Sequence, residues 1–408
     1  MAESNERKKV VLAYSGGLDT SCLITWLQDH GYDVVTMIAS LGQPAGRSDI
    51  EAIAAKATSL GAVASYAVDV RDEFCETAIA DAIAANGLYQ NRYPLVSALS
   101  RPIIAKHLVE IAHKEGCEAI AHGCTGKGND QVRFELECKA LDPDIEILGP
   151  VRYWELTTRN SEIEFCEAHG IKVDATKKSP YSVDENVWGR AIECGVLEDP
   201  WNRPPADMWE MTVDPADAPD EPCEVVVSFE GGQPVALDGE KMSMLKLIQK
   251  MNKIAGSNGF GRLDTIEDRL VGVKSRECYE LPAALARITA HKALEDLCLP
   301  GNLLAAKLEL EHTWATTVYN GLWYSPLKQA CDAFFAYTQK TVTGDVRLKL
   351  YKGNMINAGA TSKYSLYDPE IATFDEDHVY NQADAEGFIN LFGLPTKVRA
   401  LTNAKIKD

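Results

Sequence analysis

The sequence predicts an α/β chain: a parallel-sheet domain first, then a second α+β domain, then a helical tail. Three observations carry that prediction. Apolar runs of strand length alternate with helix-length stretches through the first part of the chain. Composition changes after about residue 175, where Asp199 to Pro222 is dense in Pro, Asp and Trp. The end, from Asp384 through Phe388, Leu391 and Phe392 to Leu401, places apolar residues in short helical stretches broken by Gly393 and Pro395. The expected units are therefore 1–175, 176–380 and 381–408.

The elements follow from periodicity and punctuation. Val10 to Tyr14 is continuously apolar up to its last residue, as an inner parallel strand buried on both faces requires, and Cys22, Leu23, Trp26 and Leu27 supply the stripe of the next helix. Tyr32 to Ala39 reads as a second strand, Ser48 to Leu60 as a helix capped by Ser48 or Asp49, and Ala62 to Val70 as a third strand. Helices fit Glu73 to Ala85 and Pro102 to Glu115, with Pro102 in a first turn, before a strand at Glu118 to His122. In an open parallel sheet ligands sit beyond the carboxyl ends of the strands, so the loops after Tyr14, Ala39 and His122 are expected to meet there. In the second part, Glu230-Gly231-Gly232-Gln233-Pro234 predicts a hairpin; Ser243 to Asn258, Pro282 to Leu297 and Leu303 to Tyr319 read as helices, and Val342 to Tyr351 as a strand.

With 408 residues, 46% hydrophobic and 25% charged, the chain is long enough for two domains with cores of their own. A net charge of -19 argues against a nucleic-acid partner, which would need a basic face. No apolar run of about 18 residues suggests a membrane span, and Met1 to Lys9 is polar rather than signal-like. The eleven cysteines are odd in number and irregular in spacing, with no C-x-x-C pair, and read as reduced thiols of a cytoplasmic protein. Cys124 stands out because it lies in a Gly-rich motif; His122 just before it reads as a structural hydrogen-bonding group.

Two loops carry chemistry. Ser15, Gly16 and Gly17 expose backbone N–H groups without obstructing side chains, and Thr20 and Ser21 open a helix where hydroxyls and dipole favour an anion. The loop lacks the Lys of a Walker motif and the spacing of a dinucleotide loop. The second loop, Gly123-Cys124-Thr125-Gly126-Lys127-Gly128-Asn129-Asp130-Gln131-Val132-Arg133-Phe134, leads into what reads as a strand. Its glycines allow close approach to a ligand; Lys127 suits a phosphate, Asp130 an ammonium, and Arg133 a forked pair with a carboxylate. The first loop alone would also suit a non-catalytic nucleotide-binding module, which has no use for the Lys127, Asp130 and Arg133 cluster.

Ser15-Gly16-Gly17-Leu18-Asp19-Thr20-Ser21 resembles the pyrophosphate-binding loop of the ATP pyrophosphatase superfamily, whose members cut ATP between its α and β phosphates. Both loops together, with Arg92-Tyr93, Ser100-Arg101-Pro102, Tyr181 to Asn186 and Lys274 to Glu280, resemble the argininosuccinate synthase family over nearly the whole length. The resemblance implies an adenine nucleotide alpha hydrolase-like first domain, a synthetase domain, and a homotetramer tied by C-terminal segments. It implies ATP against Ala13, Tyr14, Ser15, Gly16, Gly17, Leu18, Asp19, Thr20 and Ser21, with Ala39 near the base and Gly123 near the ribose. Aspartate is assigned to Thr125, Asn129 and Asp130, and citrulline to Tyr93, Asn129, Arg133, Ser182, Glu267 and Tyr279. Asp19, Lys127 and Asp130 are the candidate catalytic groups, and Mg²⁺ is expected to arrive with ATP, with Asp19 as its protein partner. Ala98 and Ala191 depart from a pattern in which serines help hold citrulline, and Ser97 is a candidate substitute. Other adenylating enzymes of the superfamily share the first loop but not the second.

Overall fold

The computed structural model describes residues 7–43, 49–171, 181–373 and 380–406. Its first sheet contains β1 (Lys8–Ala13), β2 (Tyr32–Ser40), β3 (Ala64–Asp69), β4 (Ala119–Ala121) and β5 (Glu146–Leu148), in the order β3-β2-β1-β4-β5 with every pair parallel. Successive residues of β1 enter different cores: Val10 and Leu12 join Val34 and Leu23 on one face, while Val11 joins Val35 and Met37 on the other. Covering both faces explains why this strand is apolar throughout rather than alternating. The strand order reverses at β1, so a crevice opens beyond the carboxyl ends of β1 and β4. That crevice positions everything that follows.

Two antiparallel sheets build the rest. One contains β6 (Ser182–Asn186), β7 (Gly189–Glu193), β11 (Arg262–Asp268) and β12 (Lys274–Glu280) in the order β11-β12-β7-β6; the other contains β8 (Cys223–Glu230), β9 (Gln233–Leu237), β10 (Glu240–Lys241), β13 (Gly344–Tyr351) and β14 (Asn354–Thr361) in the order β10-β9-β8-β13-β14. The β6-β7-β12 layer is tied by buried Arg190, whose guanidinium meets Glu185 at 3.2 Å, Glu280 at 3.1 Å and Glu210 at 2.6 Å. Glu280 in turn accepts from the backbone N–H groups of Glu210, Met211 and Thr212. The expected hairpin joins β8 to β9. Helices occupy Met244–Ser257, with Ser243 capping Lys246 N–H, and Pro282–Cys298 and Gly301–Tyr319.

Two local expectations are corrected. The segment after the second loop is a helix, Asp130–Leu141, not a strand: its buried Gln131, Arg133, Phe134, Glu137 and Cys138 recur at helical spacing. The helix expected from Pro102 starts at Val96, with Pro102 inside it, because Val96, Ala98 and Leu99 are fully buried and the packing outweighs one missing backbone hydrogen bond. Asp49 caps its helix through the Ala52 N–H, while Ser48, the other candidate cap, and the expected 175/176 boundary lie outside the described residues. The Pro326–Thr338 and Arg159–Ala168 helices had no reading from sequence.

Residues 1–364 cluster as one compact unit and 365–408 as another. Within the second, the helices Asp384–Phe392 and Leu394–Ile406 carry exposed Phe388, Leu391, Phe392 and Leu401. Among the described residues, no helix is long and apolar enough to cross a membrane.

A buried polar knot fastens the Pro282–Cys298 and Gly301–Tyr319 helices. Lys307, with no exposed surface, meets Glu295 at 3.0 Å and Glu311 at 2.6 Å, and Asn86 donates to both carboxylates. Both ring nitrogens of His291 face amide oxygens, of Asn86 and Gln339, at 2.7 Å. Two acceptors face the ring, but burial opposes its charged form and, with the Lys307 charge, outweighs the Glu295 carboxylate, holding the imidazole below the usual histidine range. Lys307→Met leaves two buried carboxylates without their cation, so it is expected to lower stability by about 3–5 kcal/mol in urea unfolding. A change confined to the exposed Lys241 and Glu230 pair should leave the midpoint nearly unmoved.

Candidate functional site

The first loop is held open from below. Gly17 is the N-cap residue of the Leu18–Asp29 helix and offers no side-chain cap, and the first described intrahelical bond is Ser21 N–H to the Gly17 carbonyl. The preceding N–H groups of that turn are thus left to an outside acceptor, as an anion-binding helix start requires. Thr20 Oγ1 accepts from Ser15 N–H at 3.4 Å and bonds the Ser15 hydroxyl at 3.0 Å, fixing the turn. Gly16 has φ +78°, and a Cβ there would stand 2.7 Å from the Ile53 side chain, so only glycine fits. Lys56 Nζ donates to the Gly16 carbonyl at 2.9 Å, bringing a cation to the loop.

The cavity at the crevice is lined by Ala13, Tyr14, Ser15, Thr20, Ala39 and Gly123, drawn from the ends of β1, β2 and β4. Of the other nucleotide candidates, Gly16, Gly17, Leu18 and Asp19 lie in the loop and helix start beside it without lining it. Ser21 is buried, and its hydroxyl meets the Tyr14 phenol at 3.2 Å, so it serves the loop from behind. Asp19 faces Glu162 on the Arg159–Ala168 helix; burial, with the neighbouring Asp19 charge, pushes the Glu162 carboxyl up to about 7. Such paired carboxyls beside a phosphate cradle suit a divalent cation. Among the described residues no group of three or more acidic, His or Cys side chains gathers as metal ligands, so phosphate oxygens and water would complete the shell.

An adjoining cavity is lined by Tyr93, Ser97, Thr125, Asn129, Asp130, Arg133, Ser182, Glu267 and Tyr279, and Cys124 and Asp184 line both cavities. Ala191 lines it too, whereas Ala98 is fully buried in the core, and Ser97 reaches the cavity in its place. Lys127 is exposed on the loop, and its carbonyl accepts from Arg269. His122 is buried; its Nδ1 accepts from the Cys124 N–H at 3.2 Å, the structural role its sequence position suggested. Burial pushes the Cys124 thiol up to about 12, which leaves it a poor nucleophile.

Charge organises the boundary between the cavities. Asp130 Oδ1 accepts from Arg133 Nη1 at 2.7 Å and Oδ2 from Arg101 Nη2 at 2.6 Å, while Arg101 Nη2 also meets Asp184 at 2.5 Å. Although burial raises it, the two guanidiniums win and hold the Asp130 carboxyl well below the usual range, so it stays ionised and is a weak base. Arg269 bridges Glu193 and Glu277; burial and Glu277 push Glu193 up to about 7. Glu267 accepts from the Tyr279 phenol at 2.7 Å, and its other oxygen is buried without a described partner. Burial pushes Glu267 up to about 7. Five carboxyls against two guanidiniums line this cavity, an arrangement that receives ammonium groups.

The fold and both loops agree with a family match over almost the entire chain. Residues 9–172 match the model described as "Arginosuccinate synthase N-terminal HUP domain", and residues 181–399 the "Arginosuccinate synthase C-terminal domain". The chain belongs to the argininosuccinate synthase family. It is 51% identical over 400 residues to the argininosuccinate synthase of Geobacillus thermodenitrificans, covering 98% of both chains. It is 50% identical over 401 residues to that of Bacillus pumilus, again with 98% of each covered, and 51% identical over 399 residues to that of Geobacillus kaustophilus, covering 98% of this chain and 97% of the other.

For an argininosuccinate synthase site, the motifs identified the loop residues but missed Arg101, Asp184, Glu193, Arg269, Glu277 and Tyr319. Arg101 and Asp184 lay in stretches carrying the family resemblance; Tyr319 looked like an ordinary helix end. If Glu267 receives the ammonium of citrulline, it must be ionised, and with its carboxyl at about 7 the charged form is lost as pH falls. The expected result is a kcat/KM for citrulline that falls about tenfold per pH unit below that point, with Glu267→Gln abolishing the limb. An unchanged limb in Glu267→Gln would assign it instead to Glu193 or Glu162, the other carboxyls pushed up to about 7.

Proposed function

We propose that this chain joins citrulline to aspartate with ATP, giving argininosuccinate, AMP and pyrophosphate through citrullyl-AMP, as in arginine biosynthesis. The observation that carries the reading is the shared wall of the two cavities, where Asp184 lines both and Arg101 ties it to Asp130. A nucleotide in the first cavity brings its α-phosphorus toward that wall, and the ureido group of an amino acid in the second approaches from the other side.

The ureido oxygen attacks the α-phosphorus and pyrophosphate leaves. The amine of aspartate then attacks the activated carbon and AMP departs, with no covalent enzyme intermediate. The protein contributes orientation and charge compensation rather than a nucleophile. Free N–H groups at the Leu18–Asp29 helix start and Lys56 support the pyrophosphate side. Asp19 and Glu162 would hold Mg²⁺, which when bound offsets phosphate charge. Thr125, Asn129 and Asp130 receive aspartate; Tyr93, Asn129, Arg133, Ser182, Glu267 and Tyr279 receive citrulline. Since Asp130 is already paired with two guanidiniums, its part is to position an ammonium and those cations rather than to remove a proton.

The same reading assigns 1–175 to nucleotide binding, 176–380 to the synthetase domain and 381–408 to an oligomerisation tail of a cytoplasmic homotetramer. The exposed Phe388 and Phe392, stacked at 5.3 Å, support a tail that is covered in the assembly.

Pyrophosphate release from ATP and Mg²⁺ tests the function. Release is expected to require citrulline, with argininosuccinate formed only when aspartate is also present. Arg133→Ala should raise the KM for citrulline by about 10- to 100-fold, and Asp19→Ala should raise the Mg²⁺ requirement. Absence of turnover with all substrates present would contradict the proposal.

A further inference from the structure

Tyr319 closes the Gly301–Tyr319 helix against the second cavity, and its surroundings fix it tightly. Its ring stacks on Tyr89 with centroids 3.5 Å apart and planes 6° apart, and meets Tyr93 edge-on at 6.4 Å. The Arg133 guanidinium lies 4.8 Å from the ring centroid, and Arg133 Nε donates to the Tyr319 carbonyl at 2.9 Å. Gly321, at φ +72°, allows this approach, since a Cβ there would stand 2.7 Å from Arg133 Cα.

The hydrogen bonds around the phenol leave one donor over. Asn129 Oδ1 accepts from the Leu270 N–H at 2.8 Å, which turns Asn129 Nδ2 toward Tyr319, and that nitrogen donates to Tyr319 Oη at 2.9 Å. The Tyr319 oxygen is therefore an acceptor in this pair, and its own proton must point elsewhere. Among the described residues, no protein group receives it, and Tyr319 lines the cavity. Arg133 is placed in the same way: Nε is committed to the Tyr319 carbonyl and Nη1 to Asp130, leaving Nη2 for a ligand. A planar nitrogen donor and a phenolic O–H that line one cavity, the guanidinium lying over the same ring, can together receive a carboxylate.

We infer that Tyr319 is a substrate-binding residue that donates its phenolic proton to the α-carboxylate of citrulline beside Arg133. The inference rests on the citrulline reading of this cavity. Glu267 lies in the same lining with an unpartnered oxygen for the ammonium, so the receptor has one group for each end of an amino-acid head. Tyr319 contributes as well by orienting Asn129, but that effect touches every ligand Asn129 serves, whereas the carboxylate contact touches only a ligand that has one.

The test uses Tyr319→Phe, which keeps the stacked ring, the cation contact and the backbone carbonyl and removes the hydroxyl alone. Two quantities are compared in wild type and variant: the KM for citrulline, and the competitive inhibition constant of 4-ureidobutylamine, which is citrulline without its carboxylate. The expected result is a rise of about 10- to 100-fold in the first and less than about threefold in the second, with the KM for ATP and the circular dichroism spectrum unchanged. An equal rise for both ligands, or no rise for citrulline, overturns the inference. Arg133→Ala separates the premise: if it also leaves the preference for citrulline over the amine intact, the citrulline reading of the cavity fails. If it abolishes that preference while Tyr319→Phe does not, only the role of Tyr319 fails.

Discussion

The clasp of Asp130 between Arg101 and Arg133 is the interaction on which the site depends. One carboxylate draws a guanidinium from the Val96–Glu115 helix and another from its own helix to the wall between two cavities. Isolated, each charge would carry a large desolvation cost; together they neutralise most of it and hold the geometry stiffly. Arg101 extends the chain to Asp184 on β6, and Arg133 extends it to the Tyr319 carbonyl at the end of a distant helix. Elements from the parallel sheet, the antiparallel layer and the helical core thus converge on one ion pair.

The rest of the structure supplies rigid ground for that clasp. The parallel sheet is buried on both faces, so the ends of β1 and β4 are fixed where the strand order reverses. Arg190 and Glu280 tie the strands that bring Asp184 and Glu193 into place. The Lys307 knot fixes the helix whose last residue is Tyr319. Polar groups buried this far from the reaction are costly unless every partner is present. Their use here fits a requirement for position rather than for stability alone.

Much of this was legible in the sequence because it is local. A strand, a Gly-rich turn and a helix follow one another within residues 8–29, so spacing alone revealed the phosphate loop, and βαβ repetition implied a parallel sheet but not the order of its strands. The second loop was legible for its chemistry but not its secondary structure: Asp130 to Phe134 looked strand-like because glycines precede it, while burial at helical spacing emerges only over the next turn. Pro102 misled because proline is a good helix opener, and tertiary packing of Val96 to Leu99 overrode that local preference. Partners brought together across 80 to 190 residues, such as Arg101 with Asp184 and Asn129 with Tyr319, leave no local pattern at all. Pairings of this kind depend on the closed fold.

In the proposed reaction the wall formed by Arg101, Asp130 and Asp184 brings a ureido oxygen to the α-phosphorus of ATP. Citrulline carrying ¹⁸O in its ureido group tests it most directly, with the products of a single turnover separated and weighed by mass spectrometry. The heavy oxygen is expected to leave in the phosphate of AMP, with none in pyrophosphate. Heavy oxygen in pyrophosphate, or its loss to water with unlabelled AMP, would contradict direct attack at the α-phosphorus and with it the role assigned to that wall.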